Sequence, residues 1–163
     1  MVNIGHTHNA VSALQFLNPP HVLILEARFY DDINDMLMDG VTDTLNNVGA
    51  TFEKITVPGA LEIPVALQYA ARRQNGRCFD AYVVLGCVIR GETTHYEIVS
   101  NESARGIMEV SIKHDLAVGN GILTVETIDQ ALDRADKNHQ NKGGAAALAA
   151  LSMLSLKQAC GGV

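Results

Sequence analysis

The chain contains no tryptophan, and phenylalanine and tyrosine together bring aromatics to only 5% of its 163 residues. Stacking platforms for single-stranded nucleic acid are therefore scarce. Basic charge is short too: 12 Lys plus Arg face 18 Asp plus Glu, a net charge of −6, so no positive field gathers phosphate backbones. Nucleic acid is set aside as a partner. Long apolar runs are missing as well, because Val22–Leu25 ends at Glu26 and the Ala-rich stretch from Ala145 is broken by Ser152 and Ser155. A membrane span needs roughly 18–20 apolar residues, so no membrane partner is expected. The first twenty residues hold no Lys or Arg, so the basic n-region of an export signal is absent. Cys78, Cys87 and Cys160 are an odd number with no Cys-x-x-Cys pair, which argues against a disulfide framework and against zinc. A cytoplasmic protein is the expectation.

What is present is apolar residue enough for a core, 47% of the chain against 18% charged. A length of 163 residues suits one domain. Residues 1–20 read as an N-terminal arm carrying His6, His8, Asn9, Asn18 and the Pro19-Pro20 pair, and residues 21–163 as a single domain. Two histidines in a polar terminus without further ligands read as solvated side chains, and no metal site is expected.

From His21 the pattern is regular. Val22–Leu25 reads as a strand buried on both faces. Asp31-Asp32 then precede Ile33, Leu37, Val41 and Leu45, a helical spacing with acid at its N-terminus and Gly49 placed to end it. Phe52–Val57 is the next strand, closed by Pro58-Gly59, and Ile63, Ala66, Leu67, Ala70 and Ala71 form a second helical face. Ala81–Val88 is the clearest strand, followed by a helix from about Thr94 to Lys113. A fourth strand is expected over Leu116–Val125, interrupted at Gly119-Asn120-Gly121, with helices from Ile128 and over Gly143–Ala159. Alternating strands and helices predict right-handed crossovers, a parallel sheet and a three-layer α/β/α sandwich.

In such sheets ligands bind beyond the carboxyl ends of the strands. Three unusual clusters fall there: Glu26-Ala27-Arg28-Phe29, Pro58-Gly59-Ala60-Leu61-Glu62, and Arg90-Gly91-Glu92-Thr93-Thr94-His95. In the third, Gly91 permits close backbone approach, and Glu92, Thr93 and Thr94 open a helix whose free N–H groups favour a phosphate, unless Thr93 or Thr94 serves only as a cap. His95 in the first turn carries an imidazole, which suits a general acid or base beside that anion. Phe29 is placed either to stack on a planar heterocycle or to cover the core. Glu62 either accepts hydroxyl hydrogen bonds or complements a helix dipole. Arg134 and Lys142 are either anion and carbonyl anchors or solvated charges.

Four segments decide between these alternatives. Glu-Ala-Arg-Phe-Tyr at 26–30, Val-Pro-Gly-Ala-Leu-Glu-Ile-Pro at 57–64, Leu-Gly-Cys-Val-Ile-Arg-Gly-Glu-Thr-Thr-His at 85–95 and Asn-Lys-Gly-Gly at 141–144 occur in one order. In these motifs the chain resembles the 6,7-dimethyl-8-ribityllumazine synthases, from His21 to the C-terminus. The resemblance implies a flavodoxin-like subunit with a central four-stranded parallel sheet, assembled as a pentamer with active sites between subunits. It implies joining 5-amino-6-(D-ribitylamino)-2,4(1H,3H)-pyrimidinedione to L-3,4-dihydroxy-2-butanone 4-phosphate, with loss of phosphate and water, in riboflavin biosynthesis and without any cofactor. Phe29 would stack on the pyrimidine, Ala60, Leu61 and Glu62 hold the ribityl chain, and Val88 and Ile89 meet the ring through backbone. Gly91, Glu92, Thr93 and Arg134 would bind phosphate, His95 would move protons, and Lys142 would contact the pyrimidine side.

The chain departs from the commonest family pattern at three places. Asn120 stands before Gly121 where many members contribute an aromatic across the subunit interface, which implies altered substrate affinity. Leu61 stands where some members have Phe, and Cys87 where Thr is frequent. The turn Asp136–Asn141 lacks the glycine usual in members that form sixty-subunit shells, so an isolated pentamer is expected. The alternatives are a non-catalytic flavin or lumazine carrier on the same fold, a Schiff-base aldolase or phosphotransferase using Lys142 as nucleophile, and a structural shell or interaction protein.

Overall fold

Strand β1 (His21–Ala27) is buried at every position, as expected of an apolar run at the centre of a parallel sheet covered on both faces. The computed structural model describes Leu14 and residues 16–161. His6, His8, Asn9 and most of the expected arm lie outside the described residues. After β1 come helix α1 (Asp31–Asn47), strand β2 (Thr51–Val57), a short 3-10 turn (Ala60–Glu62) and helix α2 (Ile63–Ala71). Strand β3 (Ala81–Ile89), helix α3 (His95–Lys113), strand β4 (Val118–Val125) and helices α4 (Ile128–Ala135) and α5 (Lys142–Ala159) complete the domain. The strands run in the order β2-β1-β3-β4, each pair parallel.

Successive strand residues point to opposite faces, and the core divides accordingly. Val22, Ile24, Val83, Leu85 and Leu123 pack on one face with Ile33, Leu37, Val41 and Leu45 of α1, Ala131 and Ala135 of α4, and Ala146, Ala147, Ala150 and Leu151 of α5. Leu23, Leu25 and Val84 pack on the other with Ile63 and Leu67 of α2 and Ile107 and Val110 of α3. The expected three-layer sandwich is thus present. Acidic Asp31 and Asp32 occupy the first turn of α1, favourable to its dipole. Gly49 follows that helix with a φ of +67°, a conformation that glycine adopts without strain.

Two expectations are corrected. β4 is not interrupted at Gly119-Asn120-Gly121: it begins at Val118 and runs unbroken, pairing Gly119 with Val83, Asn120 with Val84 and Gly121 with Leu85. The glycines serve packing instead of a break. A Cβ on Gly119 would lie 1.8 Å from the Ala146 carbonyl oxygen, and one on Gly121 would lie 3.0 Å from the Ala146 Cβ, so their absence lets α5 settle directly on the strand. The second correction concerns α3, which starts at His95. Glu92–Thr94 therefore form the turn before the helix and are not its first residues.

The sheet edges differ from its centre. β2 is largely exposed, with Phe52 and Ile55 outward, and Met108 and Ile112 of α3 and Met153 and Leu156 of α5 are exposed apolar side chains. Among the described residues no helix is long and apolar enough to cross a membrane.

Candidate active site

The carboxyl ends of β1 and β3, the turn after β2 and the start of α3 enclose a cavity of about 450 Å³. β1 contributes Ala27 and then Phe29 and Tyr30; the turn contributes Pro58 and Gly59–Glu62; β3 contributes Cys87, Val88 and Ile89; and Gly91, Thr93, His95, Tyr96 and Val99 close the far side. The predicted residues Phe29, Ala60, Leu61, Glu62, Val88, Ile89, Gly91, Thr93 and His95 are thus brought together. The reason is the crossover connectivity, which returns every strand's carboxyl end to the same rim.

Phe29 is 73% exposed, so it does not cover the core. Its ring meets Tyr30 edge-on at 5.0 Å between centroids, leaving a face free for a flat ligand. His95, which lines the same cavity, is the first helical residue of α3, and its backbone N–H donates to the Thr93 hydroxyl at 3.4 Å. Thr94 occupies the cap position without a side-chain cap bond, so the one side-chain contact to the helix start comes from Thr93. The 19-residue helix α3 directs its N-terminal partial charge at the turn Gly91–Thr93. Around Gly91 a Cβ would find open space, which is room for a ligand. The cavity thus offers an exposed aromatic face, a carboxylate at Glu62, an anion-favouring turn and an imidazole.

Asn120, Arg134 and Lys142 are not in this cavity. They line a second one of about 330 Å³, formed by β4, α4 and the start of α5 at the far edge of the sheet. Glu92 is exposed in the turn before α3 and lines neither cavity. Lys142 opens α5 directly after Asn141, whose side-chain oxygen accepts from the Gly144 N–H at 3.0 Å and whose φ is +46°. The Arg134 guanidinium donates to the Gln130 carbonyl at 2.9 Å. Among the described residues no three His, Cys, Asp or Glu side chains cluster as a metal site requires.

Residues 19–158 match the family described as 6,7-dimethyl-8-ribityllumazine synthase. Proteins of that name are similar to the chain along most of their length. The one from Sphingopyxis alaskensis is 62% identical over 86% of this chain and 97% of its own. That from Bartonella tribocorum is 54% identical over 87% and 93%. Rhizobium meliloti has a 6,7-dimethyl-8-ribityllumazine synthase 1 that is 52% identical over 89% and 96%. The chain belongs to the 6,7-dimethyl-8-ribityllumazine synthase family. It is an enzyme, a transferase of riboflavin biosynthesis.

Membership directs attention to cavity residues that sequence reasoning left out. Tyr30 and Tyr96 line the wall, and each is adjacent in sequence to a residue already singled out, the one signal available for them. Arg90 heads the third cluster but was given no role by the sequence. Its guanidinium lies 4.1 Å from the Tyr96 ring centroid, donates to Glu126 at 2.7 Å and pairs with Glu97. The hydrogen bond from Arg90 holds the Glu97 carboxyl below its usual value. Arg90 thereby ties the ends of β3 and β4 to the first turn of α3, which carries His95. Cys87 is buried at the cavity wall, and burial pushes its thiol up to about 11. At neutral pH it is a protonated thiol and a poor nucleophile.

Proposed function

We propose that the chain condenses 5-amino-6-(D-ribitylamino)-2,4(1H,3H)-pyrimidinedione with L-3,4-dihydroxy-2-butanone 4-phosphate to give 6,7-dimethyl-8-ribityllumazine, the penultimate step of riboflavin formation. The observation that carries this reading is the convergence of Phe29, Glu62, the Gly91–Thr93 turn and His95 on one cavity. Phe29 stacks on the pyrimidine, Val88 and Ile89 meet it through backbone, and Ala60, Leu61 and Glu62 take the hydroxylated side chain. The phosphate sits at the Gly91–Thr93 turn with Glu92 beside it.

The 5-amino group adds to the ketone carbon, and loss of water forms an imine. His95 moves a proton from the neighbouring carbon and onto the departing oxygen, so that the C–O bond to phosphate breaks as inorganic phosphate leaves. The enol so formed tautomerises to a ketone bearing the second methyl group; the ribityl-bearing nitrogen adds to that carbonyl, and loss of a second water closes the ring. Holding two reactive molecules together is the larger contribution, and proton transfer by His95 adds about 10²–10⁴-fold. No cofactor takes part.

The reading places Asn120, Arg134 and Lys142 at a neighbouring subunit's cavity, completing a site between subunits. Exposed apolar side chains such as Met108, Ile112 and Leu156 support burial against further copies. The assembly is a pentamer in preference to a sixty-subunit shell. Residues 21–163 act as its one domain and 1–20 as an arm. Three free cysteines suit the reducing cytoplasm.

The test mixes purified protein with both substrates and follows lumazine absorbance and fluorescence above the uncatalysed background. Formation well above background, reduced about 10²–10⁴-fold in kcat by His95→Asn, supports the reading. A folded protein that binds lumazine without accelerating its formation is a carrier, and the proposal fails.

A further inference from the structure

Phe29 is the most exposed residue of the cavity's aromatic wall, and polar groups hold the backbone around it. The Ala27 carbonyl, last of β1, accepts from the Phe29 N–H at 3.1 Å and from the Asn34 side-chain amide at 2.8 Å. Between them, Arg28 does not line the cavity, and its guanidinium is taken up by three carboxylates. Its Nε donates to Asp31 Oδ1 at 2.9 Å, its Nη2 to Asp35 Oδ1 at 2.8 Å, and its Nη1 to Glu26 Oε2 at 3.3 Å. Hydrogen bonds from Arg28 to Asp35 and then Asp31 hold the guanidinium charged even more firmly than usual.

Glu26 is the unusual member. It lies within a strand that is otherwise apolar except at His21, and its exposure is 0%. Its second oxygen accepts from the Thr56 hydroxyl at 2.8 Å and meets Lys54 Nζ at 3.1 Å, both on β2. Burying a carboxylate costs more than burying leucine, and the return on a fully bonded buried ion pair is a unique geometry in place of stability. A leucine at this position would serve the core without directing Arg28.

We infer that Arg28, held between Glu26 on the sheet and Asp31 and Asp35 on α1, is a positioning residue that sets the angle at which Phe29 faces the cavity and so determines affinity for the flat heterocycle. The inference rests on the reading of this cavity as the pyrimidine site. The device spans β2, β1 and α1, so the ring that receives the ligand is referenced to the sheet and not only to its own turn. Lysine cannot replace arginine here, because a point charge reaches one carboxylate where the planar fork reaches three.

The test compares wild type, Arg28→Lys, Asp35→Ala and Asp35→Glu in steady-state kinetics with both substrates, with lumazine binding followed by fluorescence and thermal unfolding run alongside. Asp35 is exposed and lines neither cavity, so its ion pair contributes little to stability. Arg28→Lys is expected to raise KM for the pyrimidinedione and Kd for the lumazine about tenfold, the loss of one well-aligned stack. Asp35→Ala shifts them the same way by about threefold, and Asp35→Glu restores them. Meanwhile kcat and KM for the butanone phosphate stay within about twofold of wild type. Equal rises in both KM values, or a lowered unfolding temperature with unchanged KM and Kd, overturn the positioning role while wild-type turnover stands. Wild-type protein that forms no lumazine but binds it defeats the functional reading alone, and Kd then decides the positioning role. Wild type that does neither defeats both.

Discussion

Gly119 offers the sharpest test of how α5 is seated. A methyl group there would lie 1.8 Å from the Ala146 carbonyl oxygen, 2.8 Å from its carbon and 3.0 Å from the Ala150 nitrogen. All three are helix backbone, which cannot swing aside as a side-chain tip does. Gly119→Ala therefore requires α5 to lift from β4, opening the contact that buries Ala146, Ala147 and Ala150. Overpacking typically costs about 1–3 kcal/mol, and a backbone obstacle belongs at the upper end. At about 2–4 °C per kcal/mol for a chain of this length, a 3 kcal/mol loss lowers Tm by about 6–12 °C. Gly121→Ala is the internal control. Its nearest obstacle, at 2.8 Å, is Leu85 Cδ2, the end of a flexible side chain, followed by the Ala146 Cβ at 3.0 Å. It is expected to lose about 1–2 kcal/mol, clearly less than Gly119→Ala. The assay is thermal unfolding by circular dichroism at one fixed protein concentration, so that any concentration dependence of Tm is held constant. A Gly119→Ala protein that unfolds with wild type, or above Gly121→Ala, would refute this account of β4 and α5.

Gly91→Ala makes the opposite case, because open space surrounds its Cβ. Unfolding should match wild type while KM for the phosphorylated substrate rises about tenfold or more through crowding of the anion turn; unchanged kinetics would remove Gly91 from the phosphate site. Cys87 should alkylate far more slowly at pH 8 than exposed Cys78 and Cys160, measured by peptide mapping after iodoacetamide. Its thiol is raised from 9.0 to about 11, so the fold favours the protonated form: the associated stability is full below pH 9 and is lost as pH rises towards 11. Urea midpoints measured across that window should fall. Asn120→Phe places an aromatic at an exposed position on β4, so it should fold normally and tighten substrate binding if this residue faces a neighbour's site; weaker binding would contradict that placement.

The candidate site was largely legible because its residues follow strand ends. Gly91, Thr93 and His95 lie together by chain proximity alone, and Phe29 and the Gly59–Glu62 turn join them because each follows a parallel strand. Asn120, Arg134 and Lys142 read equally well as site residues, yet one chain places them in a separate cavity across the sheet. Spacing along a sequence does not say which edge of a sheet a residue faces. Tyr96 and the role of Arg90 were missed for a related reason: their stacking pairs the end of one strand with the next helix, a contact no periodicity encodes.

By itself the sequence determined the alternation of strand and helix. Apolar spacing, an acidic first turn in α1 and Gly49 act over a few residues, and four motifs at fixed spacing specified the family. The tertiary structure alone decided that Gly119 and Gly121 make room for a helix rather than break a strand, and that Glu26 is buried and bonded to Arg28 just after β1 and to Lys54 and Thr56 on β2. It alone decided which predicted residues share a cavity. Each of these depends on what packs against a residue from a distant part of the chain, and that is set only when the layers close on one another.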